Sequence, residues 1–243
     1  MRMCEKEYEH YWILKCDIKK YFYNINPNIL YSILQKYIAD PDLLEFTKVL
    51  IFDSRTDKAV GIPIGNYTSQ FFANIYLNEL DQYIKRTLKV KYYIRYMDDF
   101  VIFIPNKEDC VILKDLIEDF LSEKLNLTLN SKSRYFPCTM GVNFCGYRIF
   151  STHKLLRVSS KKNIKKNIKI WNSLYKQNNL NIPLAMQSLN SWLGHVSHCN
   201  AYKLKLRVLN STDFLYTTRT LSQIEENLLD DMANFCNRST TVN

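Results

Sequence analysis

Residues 92–103 read YYIRYMDDFVIF. Two adjacent carboxylates, Asp98 and Asp99, interrupt a run of β-forming apolar and aromatic side chains that otherwise favours burial. The apolar stretches on either side read as two strands joined by a tight turn at Met97–Asp98. Adjacent residues in a strand point to opposite faces, but a turn bends that rule, so both carboxylates can approach one site. Like charges held together repel, and burial makes the repulsion worse. Divalent cations compensate such a pair, and Mg²⁺ prefers carboxylate oxygens with phosphate and water completing its shell. Asp is also common in turns, so an ordinary Asp-Asp turn is the alternative reading of the pair alone. The setting argues for more. Asp17 closes an upstream apolar stretch, YWILKCDI at 11–18, that reads as another strand. If this strand lies beside the 92–104 hairpin, three carboxylates converge at one end of a sheet. Such a set can hold two metal ions for an in-line phosphoryl transfer.

The rest of the chain supplies the layers around that sheet. NPNILYSILQKYI carries apolar residues at helical spacing, with Ile29, Ile33, Leu34 and Tyr37 on one face, and Asn26–Pro27 makes a helix start. PDLLEFTKVLIF reads as a second helix. GIPIGNYTSQFFANIYLNELDQYIKRTL reads as a loop and a long helix, capped by Thr68 or Ser69 and lined by Phe72, Ile75, Tyr76, Leu80 and Ile84. KEDCVILKDLIEDFLSEKLN is another amphipathic helix, and LTLN and FCGYRIF read as short strands. After Ser160 the chain reads as helical, including SQIEENLLDDMANFC near the C-terminus. The pattern predicts an α+β fold with a mainly antiparallel sheet backed by helices, residues 1–155, followed by a smaller helical domain, 156–243.

Charge narrows the partner. The formal net charge is +9, which favours a polyanion, most often nucleic acid. Between Ser151 and Asn210 there is no Asp or Glu, while Lys154, Arg157, Lys161, Lys162, Lys165, Lys166, Lys169, Lys176, Lys203, Lys205 and Arg207 fall in that stretch. Surfaces normally mix signs, so this reads as a footprint for phosphates. The seven cysteines form no C-x-x-C pair, and no signal peptide or membrane-length apolar run is present. The reading is therefore of reduced thiols in the cytoplasm, with no membrane. His195, His198 and Cys199 lie close in sequence, but no fourth ligand stands at a finger-like spacing, and packing is the better account of them.

The ordered motifs resemble those of reverse transcriptases. YMDD between apolar strands resembles the active-site hairpin, and CDIKKYF the strand that carries the first metal ligand. GIPIGNYTSQFFANIYLNELDQYI resembles the loop and helix that back the nascent base pair. LNLTLNSKS resembles the lysine-containing segment before the primer grip, and FCGYRIF the primer-grip hairpin. The resemblance spans about residues 11–150, and more loosely a thumb to about 210. It implies a polymerase palm followed by a helical thumb, copying template RNA from a DNA or RNA primer with dNTPs. It implies two Mg²⁺ ions, with Mn²⁺ accepted by the same oxygens, held by Asp17, Ile18, Asp98 and Asp99; the three aspartates are the implied catalytic residues. Phe22 falls where the family keeps an aromatic steric gate. Ile64, Gly65, Ser69, Gln70 and Lys132 are implied at the nucleotide, with Gly65 permitting close backbone approach and Lys132 neutralising or protonating pyrophosphate. Tyr96, Met97, Phe144, Cys145, Gly146 and Tyr147 are implied at the primer.

Two departures refine the resemblance. Most family members carry Pro-Gln-Gly where this chain has Pro63-Ile64-Gly65, and an aliphatic side chain cannot make the glutamine's polar contacts. Looser base selection is the expected consequence. IGNYTSQ and SWLGHVSHCNAYKL are similar to segments of the reverse transcriptases of diversity-generating retroelements, which implies error-prone copying at adenines and a small basic accessory protein. Retron and group II intron enzymes are the alternative relatives. Secondly, sixteen residues precede Asp17, so the basic fingers subdomain typical of the family is expected to be supplied by another polypeptide or missing by truncation. That expectation sustains a competing reading, a nucleic-acid-binding module that is catalytically incomplete. A metal-dependent cyclase on a palm-like fold fits the basic tail and primer-grip motif poorly.

Overall fold

The structure, a computed structural model, describes residues 1–52, 60–62, 65 and 67–217. Ile64 and the C-terminal helix expected at 222–236 lie outside the described residues. Two compact units divide the chain, Met1–Val142 and Asn143–Asn243.

The first unit begins with one helical turn, α1 (Arg2–Glu5), and strand β1 (Trp12–Asp17), followed by α2 (Tyr21–Asn24), α3 (Pro27–Leu34), α4 (Pro41–Ile51) and α5 (Tyr67–Gln82). A wider helical turn, Tyr83–Thr87, extends α5 into the hairpin β2 (Tyr92–Tyr96) and β3 (Asp99–Ile104), then α6 (Lys107–Leu125) and β4 (Arg134–Pro137). The four strands form an antiparallel sheet in the order β2-β3-β1-β4. The expected α+β class is what the chain adopts.

One face of this sheet is covered. Leu14 and Cys16 of β1, Ile18 just beyond it, and Phe100, Ile102 and Ile104 of β3 are buried in one cluster with Ala73, Tyr76, Leu77 and Leu80 of α5 and Ile117, Leu121 and Leu125 of α6. Each fully buried leucine here contributes about 1.5–3 kcal/mol. The Tyr76 hydroxyl donates to the Leu125 carbonyl at 2.6 Å, joining the middle of α5 to the end of α6. Strand alternation sends the intervening residues to the opposite face, among them Lys15, Asp17, Asp99 and Tyr96.

Local signals explain most boundaries. Asn26 Oδ1 accepts from the Asn28 and Ile29 amides with Pro27 at the first helical position, and Asp40 Oδ1 accepts from Leu43 N with Pro41 in the same place. Asn126, left-handed at φ +49°, ends α6. Some expectations need correction. The buried face of α3 is Leu30, Ile33 and Leu34; the helix stops at Leu34, which leaves Tyr37 beyond it and exposed. Helix α5 begins at Tyr67, so Thr68 and Ser69 sit inside its first turn and do not cap it. LTLN forms no full strand and makes a single bridge, Leu129 to Ile18. The sheet's fourth strand is RYFP instead, at Arg134–Pro137.

The second unit opens on a three-stranded sheet in the order β5-β6-β7, with β5 (Val142–Phe144), β6 (Tyr147–Ile149) and β7 (Lys154–Leu156). Helices α7 (Val158–Lys176), α8 (Ile182–Ser197) and α9 (Tyr202–Asn210) follow. Their core gathers Ile164, Ile168, Ala185, Leu189, Val208, Leu209, Phe214 and Leu215, with Trp171 and Tyr175 packed against it.

Candidate active site

The register of β1 and β3 sets Asp17 directly opposite Asp99. Directly opposed residues of an antiparallel pair project to the same face, with Cβ atoms about 4.5–5.5 Å apart. Asp98 occupies the β2–β3 turn, outside strand alternation, and its carbonyl accepts from Ile18 N at 3.3 Å. The turn therefore lies over the end of β1, and the three aspartates are backbone neighbours. Burial pushes the Asp98 carboxyl above its ordinary range, and the negative charges of Asp17 and Asp99 push it the same way.

Each of the other two carboxylates has a protein partner. Lys15 Nζ lies 2.7 Å from Asp99 Oδ2, and Asn130 Nδ2 donates to Asp17 Oδ2 at 2.9 Å. The Asn130 amide also donates to the Asp17 carbonyl at 2.7 Å, and the Ser133 hydroxyl lies 3.2 Å from the Asp17 amide, from which it accepts. The 130–133 segment thus wraps the end of β1. With the side chains so engaged, no three His, Cys, Asp or Glu form a ready metal cluster among the described residues. The donor set is nonetheless of the hard-oxygen type that suits a divalent cation, and such a cation would offset the mutual repulsion of the three neighbouring carboxylates. Lys15, Asn130 and Ser133 escaped the sequence reading. Lys15 had a signal, because it lies two residues before Asp17 and so on the same face.

Lys15 stands where an added cation would act, which gives a first expected outcome. Lys15→Met lowers the melting midpoint of the metal-free chain by about 2–4 °C, the shift of 1 kcal/mol at this size. It also enlarges the stabilisation gained on adding Mg²⁺, since the cation no longer competes with an ammonium. Differential scanning fluorimetry across a Mg²⁺ titration reads both. An unaltered Mg²⁺ response would show that Lys15 does not compete at Asp99.

The remaining expected site residues take varied positions. Phe22, in α2, is half-buried and packs its ring 5.5 Å from that of Tyr21. Its carbonyl accepts from Ile62 N at 3.1 Å, and Gly61 N donates to the Ile25 carbonyl at 2.8 Å, so the loop before α5 rests on α2. Gly61 holds φ +106°, and a Cβ there would meet the Tyr23 carbonyl at 3.1 Å. Gly65, at φ +104°, is exposed with open space around it. Ser69 is buried and Gln70 exposed. Lys132 is exposed in the segment that wraps Asp17. Tyr96 projects from the face that carries Asp99 and is 64% exposed; Met97 forms the turn at φ +56°.

In the second unit, Cys145 and Gly146 make the β5–β6 turn, at φ +46° and +85°. A Cβ on Gly146 would come within 3.1 Å of His195 Cε1. Tyr147 stacks on the His195 ring at 4.7 Å and donates its hydroxyl to the His195 carbonyl at 2.7 Å. His195 thus packs the hairpin against α8, while Cys199 is buried and donates to the Val196 carbonyl at 3.3 Å. A groove of about 350 Å³ between α7 and α8 is lined by polar side chains such as Asn163, Asn167, Ser188 and Ser191 together with Ile164, Trp192 and His195. Among the described residues no helix is long and apolar enough to cross a membrane.

Comparison with known proteins gives the family and the fold. The family model described as reverse transcriptase (RNA-dependent DNA polymerase) matches residues 1–149. The COX1/OXI3 intron 2 protein of Saccharomyces cerevisiae is 24% identical, over 59% of this chain and 24% of its own length. Among solved structures, Candida albicans telomerase in complex with a fragment of telomeric RNA superposes with a TM-score of 0.55 at 13% identity, over 97% of this chain and 45% of that one. Apo telomerase from Candida tropicalis gives 0.50 at 17% identity, over 61% and 36%. The chain spans about a quarter of the curated relative and less than half of these telomerase chains. At such identities the structural likeness speaks for the fold alone.

Proposed function

The chain belongs to the reverse transcriptase (RNA-dependent DNA polymerase) family, and from that premise we propose that it extends a primer 3′-hydroxyl on an RNA template by nucleotidyl transfer from dNTPs. The observation that carries the reading is the register of Asp17 opposite Asp99 with Asp98 in the adjoining turn. In this reading the first unit acts as palm and the basic helices of the second as thumb. Asp17, Asp98 and Asp99, with Ile18 beside them, hold two Mg²⁺ ions. When bound, these supply charge neutralisation at the attacking and leaving oxygens. Asn130 and Lys15 hold the carboxylates of Asp17 and Asp99 in place.

Phe22 stands as the gate under the incoming sugar, and Gly65, from the loop resting on its carbonyl, and Gln70, in the first turn of α5, meet the nucleotide, as does Ile64 by its place in the motif; the burial of Ser69 gives it a supporting part in that helix. Lys132 faces the leaving pyrophosphate. Tyr96 and Met97 lie near the terminal primer sugar, and the turn of Phe144, Cys145, Gly146 and Tyr147 grips the primer. The described cysteines are free thiols, which fits a reducing compartment such as the cytoplasm.

The motif IGNYTSQ supports a diversity-generating subtype, with template RNA, a small basic accessory protein and low fidelity at adenines. The intron-encoded relative favours a second reading, a group II intron-type enzyme. Primer extension on an RNA template with dNTPs and Mg²⁺ tests the activity, and sequencing the product separates the subtypes. Errors concentrated opposite adenine support the first, and uniform fidelity the second. Duplex binding with no extension would replace the polymerase by a nucleic-acid-binding module.

A further inference from the structure

Arg95 lies on β2 with its side chain 11% exposed, and it faces α5. Its guanidinium makes a two-pronged pair with Asp81, Nε to Oδ1 at 2.8 Å and Nη2 to Oδ2 at 2.5 Å. The Tyr93 hydroxyl donates to the same Oδ1 at 2.6 Å. The third nitrogen, Nη1, donates to the Met97 carbonyl at 3.0 Å and to Asn74 Oδ1 at 3.1 Å. Asn74 in turn points Nδ2 at the Met97 sulfur, 3.6 Å away. Asn74 and Asp81 both belong to α5, two turns apart and on one side of it.

All these contacts converge on one strained turn. Met97 holds φ +56°, the left-handed region that L side chains enter only at a steric cost. The residue that follows, Asp98, sits in the same turn and carries one of the three carboxylates of the site. A turn strained at Met97 persists only where its surroundings hold it. A planar guanidinium with five donors can grip a carboxylate, an amide and a backbone carbonyl together; a lysine cannot.

We propose that Arg95 is a positioning residue that clamps the Met97–Asp98 turn to α5 and so holds Asp98 beside Asp17 for cation binding. The cation consequence rests on the polymerase reading above; the clamp itself does not. Arg95 touches none of the three aspartates of the site, so its influence passes through the Met97 carbonyl. Since α5 is also the helix that follows the Gly65 loop, the clamp ties that loop's helix to the carboxylate turn.

The test compares wild type, Arg95→Lys and Asn74→Ala as full chains. Hydrogen exchange of peptides spanning Met97–Asp99, measured without metal, is read against peptides from α6. Mn²⁺ affinity is read by calorimetry. Arg95→Lys is expected to speed exchange in the turn about tenfold, the effect of losing one charge-assisted hydrogen bond. It weakens Mn²⁺ binding by a similar factor while α6 stays protected. Asn74→Ala leaves the Asp81 pair intact and loosens the turn about threefold, which keeps the test open if Arg95→Lys loses its fold. Exchange that rises equally in the turn and in α6, or in neither, would overturn the clamp. Turn-specific loosening in a protein whose wild type binds no Mn²⁺ would uphold the clamp and instead sink the polymerase reading of the site.

Discussion

Asp98→Asn is expected to reduce primer extension about 10³-fold or more while raising the melting midpoint of the metal-free chain at neutral pH. The first effect follows from the reading of Asp98 as a metal ligand. Removing one anionic oxygen from a two-metal set forfeits several kcal/mol of transition-state stabilisation, and each 1.36 kcal/mol is tenfold in rate. The second follows from the raised carboxyl. The folded state holds the Asp98 proton more tightly than the unfolded chain, whose ordinary value is 3.8. The group's favourable contribution is therefore fully present below pH 3.8 and is lost as pH rises through the folded value. At pH 7 the ionised group destabilises the fold, and Asn, similar in size and uncharged, removes that penalty. The gain in the variant should shrink towards zero as pH falls below 3.8, where wild type is protonated too. Added Mg²⁺ should reverse the order of the two midpoints, because only wild type keeps the full ligand set. Melting curves at pH 7 with and without Mg²⁺, beside single-turnover extension, read the whole pattern. A variant that extends normally would remove Asp98 from the chemistry; a variant that melts lower without metal would show that the ionised carboxylate carries no penalty in the fold.

The same residues show what could be read from the chain. The hairpin, the strand ending at Asp17, the cap at Asn26 and the long helix after Gly65 were all legible, because each is written in contiguous residues. Hydrophobic alternation, a cap followed by Pro, and helical spacing are local signals. What was missed depends on partners distant in the chain. RYFP is short and ends in Pro, so it reads poorly as a strand, yet its pairing with β1 makes it one. The α3 periodicity fitted two adjacent stripes, and packing chose the one with Leu30 over the one with Tyr37. The site followed the same division. The three aspartates announce themselves as carboxylates in apolar surroundings. Lys15, Asn130 and Arg95 are unremarkable in sequence and acquire meaning only when Lys15 is set diagonal to Asp99, Asn130 against Asp17, and Arg95 between Asp81 and Met97.

Replacing Lys162, Lys165, Lys166 and Lys169 of α7 together by Gln should lower the salt dependence of nucleic-acid binding by about 3–4 units of slope in log Kobs against log salt. Each phosphate contact contributes about 0.9 for duplex DNA and about 0.7 for a single strand. The structure sharpens the broad basic stretch into this set. Helix α7 is amphipathic, with Ile164, Ile168, Trp171 and Tyr175 packed into the core and these four lysines exposed. Other basic residues of the stretch are placed differently. Lys205 is buried, and Lys176 lies 3.8 Å from Asp213. With no acid in α7, the stripe keeps one sign along the helix, which suits a regular phosphate backbone and no particular sequence. Affinity should therefore fall by similar factors on unrelated sequences, on the order of 10²-fold at low salt and much less at high salt. The substituted side chains lie on the solvent face, so the melting midpoint should move little. Lys6→Gln, Lys36→Gln, Lys48→Gln and Lys124→Gln together, which remove the same four charges from exposed positions of the first unit, serve as the control for net charge alone. Titrations of an RNA–DNA duplex at several salt concentrations separate the two. An equal loss of slope in both variants would mean that total charge, rather than the α7 stripe, holds the nucleic acid; a slope that falls only in the α7 variant would place the backbone contact on that helix.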